Sequence, residues 1–77
     1  MEMDKELLNE HAQVERKLFS FSLRENPRGR FLRITEDVGG RRDTIIIPST
    51  GLADVAAILN HMVEADRQAG PPDCPPE

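Results

Sequence analysis

The sequence predicts an α+β domain in which a small antiparallel sheet precedes one long helix. Two observations support this fold class. Between residues 17 and 48, apolar and polar residues alternate with period two, and two turn-forming segments interrupt the alternation. After residue 48, apolar residues recur at helical spacing. At 77 residues the chain is long enough for one small domain built from two layers.

The first clear strand lies in "VERKLFSFSLREN", residues 14–26. Phe19, Phe21 and Leu23 alternate there with small or charged polar residues, which indicates a half-buried strand. The next segment, "NPRG", has Asn, Pro and Gly at the first, second and fourth positions, as a type I turn prefers. The sequence therefore predicts a hairpin at this point.

Two further strands follow the first turn. In "RFLRITE", Leu32 and Ile34 face one side of the sheet, and Phe31 and Arg33 face the other. The two glycines of "DVGGRR" predict a second reversal, and the β-branched run of "DTIIIP" predicts the third strand.

These strands predict a sheet with two different faces. The apolar face is expected to form the core against the helix and consists of Phe19, Phe21, Leu23, Leu32, Ile34, Ile45 and Ile47. The opposite face carries Ser20, Ser22, Arg24, Phe31, Arg33, Thr35 and Ile46.

The helix is predicted in "LADVAAILNHMVEADRQA", with Ser49 or Thr50 as its cap, a start near Gly51 and an end near Gly70. Its apolar stripe is wider than one small sheet needs. The stripe is expected to form core and dimer contacts through Leu52, Val55, Ile58, Leu59 and Met62.

The two ends of the chain give weaker patterns. By propensity alone, "KELLNEHAQ" favours a frayed helix. The proline-rich residues 71–77 are expected to be disordered, with Cys74 as an exposed free thiol.

Composition excludes several classes of function. One Cys and two His that lie 50 residues apart cannot build a metal site, so neither metal nor cofactor is expected. No side chains form a defensible catalytic arrangement, so we expect neither an enzyme nor a small-molecule substrate. No apolar run is long enough for a membrane span, and the acidic N-terminus lacks the apolar stretch of a secretory signal. A cytoplasmic protein is expected.

The charge distribution points to a polyanion. The formal net charge is −4, yet residues 24–42 contain six arginines and only three acidic residues. A basic face on an acidic body could attract phosphates. The alternative is that these arginines only keep the hairpin edges soluble.

Phe31 suggests the same kind of ligand. A flat sheet face with a ring between Arg24 and Arg33 suits single-stranded nucleic acid, since a base stacked on a ring contributes about 1–3 kcal/mol. The alternative is that a dimer partner covers the ring.

The segment "ENPRGRFLRITE" resembles a PUR repeat, the unit of the Pur-alpha single-stranded nucleic-acid-binding proteins. The family motif reads roughly N-x-[KR]-G-R-F-[LI]-[KR]-[IV], and the resemblance extends over about residues 6–69. It implies a four-stranded antiparallel sheet followed by one C-terminal helix, related to the Whirly fold, with an extra strand near residues 7–14. It also implies that two repeats intertwine. With a single PUR repeat in residues 1–70, a bacterial-type chain such as this should form an intertwined homodimer.

The resemblance also implies contact residues. Arg24, Asn26 and Phe31 match family contacts, and two further contacts fall on Glu15 and Arg16, where Glu15 departs from the family pattern. The complete set expected to bind nucleic acid is Arg16, Arg24, Asn26, Arg28, Arg30, Phe31 and Arg33.

The function expected from the residues and the resemblance is binding of single-stranded DNA or RNA, with a purine-rich preference and possible association with the nucleoid. The alternative is a homodimeric protein-interaction or scaffold module that has lost nucleic-acid binding. The net charge and Glu15 favour the alternative, whereas Arg24, Asn26, Phe31 and the arginines of the hairpins favour binding.

Overall fold

A computed structural model describes residues 4–72, in which a four-stranded antiparallel sheet is followed by one helix. The strands are joined in sequence order as a meander, which confirms the predicted α+β class. The predicted tail beyond residue 72, including Cys74, lies outside the described residues. The elements are β1 (Lys5–Val14), β2 (Lys17–Asn26), β3 (Gly29–Val38), β4 (Arg41–Pro48), a 3₁₀ turn (Ser49–Gly51) and α1 (Leu52–Ala69).

Strand β1 corrects the prediction made from propensity. Residues 5–14 do not form a frayed helix but pair antiparallel with β2, as the PUR resemblance implied. An isolated helix of this length is marginal in water, whereas pairing supplies a ladder of backbone hydrogen bonds. Tertiary pairing therefore overrides the local preference of "KELLNEHAQ".

Both predicted reversals are two-residue hairpin connections. Asn26 pairs with Gly29 across the first turn, and Val38 pairs with Arg41 across the second. Gly39 and Gly40 have φ of 59° and 90°. Two successive positive φ values are what a type I′ hairpin turn requires. Glycine adopts them without steric cost.

The strand register confirms the two predicted faces. Leu23 lies opposite Leu32, which lies opposite Ile47, so these side chains share the apolar face. Ser22, Arg33 and Ile46 are aligned in the same way on the other face. We call this second face the polar face. In addition to the predicted residues it includes Glu6, Asn9 and His11 from β1 and Thr44 and Pro48 from β4.

A β-bulge in β1 changes which side chains share a face. The register shifts between Glu6 and Leu8: Leu8 lies opposite Leu23, and Glu6 lies opposite Arg24. In an uninterrupted strand, residues 6 and 8 would point to the same side. The extra residue, Leu7, instead places Glu6 on the polar face while Leu8 stays on the apolar face.

The helix begins one residue after the predicted start and without the predicted cap. Gly51 occupies the N-cap position, and neither Ser49 nor Thr50 makes a side-chain capping hydrogen bond. Ser49 lies in the 3₁₀ turn, where its carbonyl accepts the backbone N–H of Leu52. The predicted end is confirmed, since Gly70 caps the helix at φ 76° and its N–H donates to the carbonyl of Arg67.

The prediction that the helix packs on its own sheet is wrong. Helix α1 has no buried residue, and within the described chain it contacts mainly the 3₁₀ turn that precedes it. The chain passes from β4 through a single 3₁₀ turn into the helix, and this connection does not return the helix to its own sheet. Leu52 and Val55 are half-buried, whereas Ile58, Leu59 and Met62 are 52–60% exposed.

The protomer therefore has two apolar surfaces without cover. Among residues 4–72, no apolar side chain is fully buried. The radius of gyration is 15.2 Å, against about 11.5 Å for a compact domain of this length. A single chain in this conformation lacks the closed core that stabilises an ordinary domain. No helix of the described chain is long and apolar enough to cross a bilayer.

Candidate nucleic-acid interface

The centre of the polar face is a small network of hydrogen bonds around Ser22, which is 8% exposed. Its hydroxyl donates to Glu6 Oε2 at 2.6 Å and accepts from Arg24 Nη1 at 3.3 Å. The same Glu6 oxygen also accepts from Asn9 Nδ2 at 2.7 Å. The carboxylate is thus held in position by two neutral donors.

Arg24 lies between two carboxylates at this point. Its Nη1 is 3.4 Å from Glu6 Oε2, and its Nε is 3.6 Å from Asp4 Oδ2. The Arg24 side chain is 21% exposed. Its buried Nε has no hydrogen-bond partner in the described structure, since 3.6 Å is too long for one.

The network keeps Glu6 ionised. The hydrogen bonds from Ser22 and Asn9 lower the pKa of Glu6 below its ordinary value of 4.5, and the positive charges of Arg24 and Arg33 lower this pKa further. Glu6 is therefore a permanent negative charge on the polar face at neutral pH.

Asn26 organises the first turn and is only partly available to a ligand. Its Oδ1 accepts the backbone N–H groups of Arg28 at 2.9 Å and Gly29 at 3.2 Å, which is an Asx turn. Its Nδ2 donates to Asp4 Oδ1 at 3.1 Å. One amide proton remains for an outside acceptor.

Phe31 stands on the polar face beside two apolar side chains of β4. It lies opposite both Arg24 and Pro48, and its ring is half-buried. Phe31, Ile46 and Pro48 help to line a cavity of about 260 Å³ that reaches the Asn26–Gly29 turn. Ile46 is 52% exposed. A ring with an adjoining apolar wall offers a flat solute a place to stack.

Arg33 is the available cation of this face. It lies opposite Ser22 and Ile46, and within residues 4–72 it makes neither a hydrogen bond nor an ion pair. A guanidinium in this state can donate two parallel hydrogen bonds to a phosphate without first leaving another partner.

The remaining predicted residues lie at three other places. Arg28 is exposed in the first turn. Arg30 alternates with Phe31 and so lies toward the rim of the apolar side, where its guanidinium donates to Glu25 at 2.6 and 2.8 Å. Arg16 lies in the β1–β2 turn, at the opposite end of the sheet. The 10 residues of β2 separate it from the first turn by about 33 Å.

The end of the sheet near Arg16 carries further cations. Arg16, Lys17, Val38 and Gly39 line a cavity of about 810 Å³. Lys17 pairs with Glu36 at 3.1 Å, and Arg42 pairs with Asp37 at 3.1 Å. The structure therefore gathers Arg24, Asn26, Phe31 and Arg33 at one end of the polar face and leaves Arg16 at the other.

Sequence reasoning did not identify Asp4 and Glu6 as members of this site. Glu6 and Leu8 are two positions apart and would share a face in an uninterrupted strand, and nothing in the residue pattern indicates the bulge that places them on opposite faces. Asp4 precedes β1 and reaches Arg24 and Asn26 only because β1 pairs with β2. In the part of the chain that the structure describes, no group of three or more His, Cys, Asp or Glu could hold a metal ion.

Comparisons with known proteins agree with the resemblance found in the motif. A family model described as PurA ssDNA and RNA-binding protein matches residues 2–71. Transcription factor Pur-alpha 1 of Arabidopsis thaliana is 46% identical over 63 residues, which are 82% of this chain and 21% of that protein. The chain thus spans about a fifth of the length of the curated relative that it matches.

Proposed function

Because the chain belongs to the PurA family of single-stranded DNA- and RNA-binding proteins, we propose that it binds single-stranded nucleic acid on the polar face of its sheet. The observation that carries this proposal is the position of Phe31. Its ring lies on an open face, opposite Arg24, one pleat from Arg33 and against the apolar wall of Ile46 and Pro48. Bases stack on such rings, and neighbouring cations bind the backbone.

The side chains of the site have different roles in this proposal. A base stacks on Phe31 and contacts Ile46 and Pro48. Arg33 and Arg28 bind phosphates, and the second amide proton of Asn26 donates to a base or phosphate oxygen. Arg16 contacts a more distant part of the same strand, since it lies at the other end of the sheet. No step of catalysis is involved.

The binding unit in this proposal is an intertwined homodimer of two single repeats. The helix stripe and the apolar face of the sheet are both uncovered in one protomer, as the exposure of Leu59 at 58% and Ile45 at 57% illustrates. The helix of one chain would cover the sheet of its partner. Burying apolar surface provides about 25 cal/mol per Å², which supports association of a chain that lacks its own core.

Two finer parts of the proposal rest on family resemblance. The purine-rich preference and the bacterial single-repeat type are carried over from the resemblance to the PUR family, whereas the cytoplasmic or nucleoid location is an expectation from the amino-acid sequence.

One observation favours a second function. Asp4 and Glu6 offset the charge of Arg24, so the centre of the polar face is much less basic than the arginine-rich sequence indicates. A dimer with the same fold and a nearly neutral face could serve as a protein-interaction or scaffold module instead.

Fluorescence anisotropy distinguishes the two functions. Labelled purine-rich and pyrimidine-rich single strands, and a duplex as control, are titrated with the protein at two salt concentrations. The proposal predicts saturable binding of single strands that weakens with salt and exceeds binding of the duplex. Absence of binding at the lower salt concentration would favour the scaffold function.

A further inference from the structure

The unexpected feature of the polar face is that its central arginine is already neutralised by the protein itself. Glu6 contacts Arg24 from the neighbouring strand β1, and Asp4 contacts it from the position just before that strand. Asp4 also accepts a hydrogen bond from Asn26. Two residues predicted to bind the nucleic acid, Arg24 and Asn26, therefore share Asp4 as a partner.

The distances indicate what these carboxylates do. Charge-assisted hydrogen bonds from a guanidinium to a carboxylate are about 2.7–2.9 Å long, whereas the two contacts of Arg24 measure 3.4 and 3.6 Å. Such long contacts orient the guanidinium weakly. Coulomb attraction, which falls only as the inverse of distance, is nearly undiminished at 3.4 Å. The carboxylates thus reduce the positive potential of Arg24 more than they position it.

Glu6 is placed independently of Arg24. Its carboxylate is held by Ser22 and Asn9 at 2.6 and 2.7 Å, and the bulge at Leu7 turns it onto the polar face. Because neutral donors hold it, the negative charge would remain on this face even after Arg24 moved away. Asp4, by contrast, is attached through Asn26 and Arg24 alone among its described contacts.

We propose that Asp4 and Glu6 act as an intramolecular competitor for phosphate that limits the affinity of this site for single-stranded nucleic acid. The proposal rests on the proposed function. A phosphate that binds Arg24 must replace these carboxylates and overcome the charge of Glu6. A short bidentate contact with phosphate compensates for the loss of the two long contacts. The competitor weakens the electrostatic part of binding, which is independent of sequence, and leaves stacking on Phe31 unchanged.

Isosteric amides test the competitor. Glu6→Gln keeps an oxygen that accepts from Ser22 and Asn9 but removes the charge, and Asp4→Asn does the same beside Asn26. Glu64→Gln is the matched control, because it removes one negative charge from helix α1, where Glu64 pairs with Arg67. All three are compared with the unaltered chain by anisotropy with a labelled purine-rich single strand over a range of salt concentrations.

Each amide on the polar face is expected to raise the affinity about two- to fivefold, as for partly exposed ion pairs. The salt dependence should become steeper by about 0.7 in the log–log slope, as one further phosphate contact on a single strand requires. Glu64→Gln should change neither quantity. In an Arg24→Met background the gain from Glu6→Gln should be smaller, because there is no guanidinium left to release.

Several outcomes would overturn the inference. Weaker binding by Glu6→Gln, with an unchanged melting temperature, would show that Glu6 positions Arg24 for its ligand. An equal gain with and without Arg24 would show simple repulsion of phosphate rather than competition. If neither the unaltered chain nor the variants bind any single strand at low salt, the proposed function fails and the competitor fails with it. Binding by the unaltered chain with no gain in the variants refutes the competitor alone.

Discussion

Glu6 Oε2 lies 3.4 Å from Arg24 Nη1, although the two residues are 18 positions apart in the chain. Because of this contact, the arginine-rich segment carries less available positive charge than its sequence indicates. Its charge is offset where β1 adjoins it, so Arg24 is not the free cation that the sequence predicts. Arg33, which has no such partner in the described chain, is left as the main cation of the polar face.

Phe31→Ala tests stacking directly. The ring is half-buried and belongs to the polar face, so its loss should leave the melting temperature nearly unchanged and reduce affinity for single strands by about 1–3 kcal/mol, roughly five- to 150-fold. Phe21→Ala, on the apolar face, is the control and should lower stability instead. A large loss of stability in Phe31→Ala with unchanged affinity would mean that a partner chain covers the ring.

Arg33→Ala and Arg30→Ala should differ in their effect on binding. Arg33 is unpaired within residues 4–72 and faces the proposed ligand, so its removal should weaken all single strands similarly and lower the log–log salt slope by about 0.7. Arg30 already binds Glu25 at 2.6 Å on the other side of the sheet and should contribute less. Anisotropy over a salt series measures both slopes. Equal slopes in the two variants would contradict the assignment of faces.

Leu59→Asp tests the homodimer. Leu59 is 58% exposed in one protomer, and if a partner covers it, an aspartate there would bury an unpaired charge. We expect loss of the dimer together with loss of folded structure, measured by light scattering and circular dichroism at micromolar concentration. Asn60→Asp, which adds the same charge to the next residue of the helix, should have little effect. A folded monomer of the unaltered chain under these conditions would refute the dimer.

Substitutions in two turns test backbone strain, because they should change the free energy of unfolding in opposite directions. Glu15 has φ of 56° and Gly39 has φ of 59°, a left-handed conformation that costs a non-glycine residue about 1–2 kcal/mol. Glu15→Gly should therefore raise the free energy of unfolding by about 0.5–1 kcal/mol after the entropic cost of glycine. Gly39→Ala should lower the free energy of unfolding by about 1–2 kcal/mol through backbone strain alone. No steric clash adds to this cost, because nothing lies within 4 Å of the added carbon. Thermal and chemical denaturation measure both changes, and changes of the same sign would exclude strain as the cause.

Ser22→Ala should reveal the pH dependence of Glu6. Hydrogen bonds from Ser22 and then Asn9 lower the pKa of Glu6 below 4.5 in the folded protein. This contribution to stability is present above pH 4.5 and is lost as the pH falls through the lowered folded value. The difference in melting temperature between the unaltered chain and Ser22→Ala should accordingly be larger at pH 6 than at pH 3. A difference that is independent of pH would show that the serine hydroxyl stabilises the fold without acting on Glu6.

The sequence by itself determined the sheet from β2 to β4, both hairpins, the extent of the helix and the two faces. Side-chain direction in a strand alternates at every residue, so "FSFSL" and "RFLRI" specify their own faces once they are strands. The turns are equally local, because the Asn26 side chain accepts backbone N–H groups of its own turn, and Gly39 and Gly40 adopt positive φ values that few other residues tolerate. The motif around Phe31 also indicated β1, which propensity had not.

Only the tertiary structure decided where the helix lies and what surrounds Arg24. Whether an amphipathic helix folds back on its sheet depends on the connection that precedes it, and here a single 3₁₀ turn carries the helix away. The partner of Arg24 depends on strand register. Leu7 shifts that register by one residue, which turns Glu6 from the apolar face to the polar face and brings a negative charge to the arginine. Local pattern specifies direction within a strand, but contacts between strands depend on how the strands are aligned.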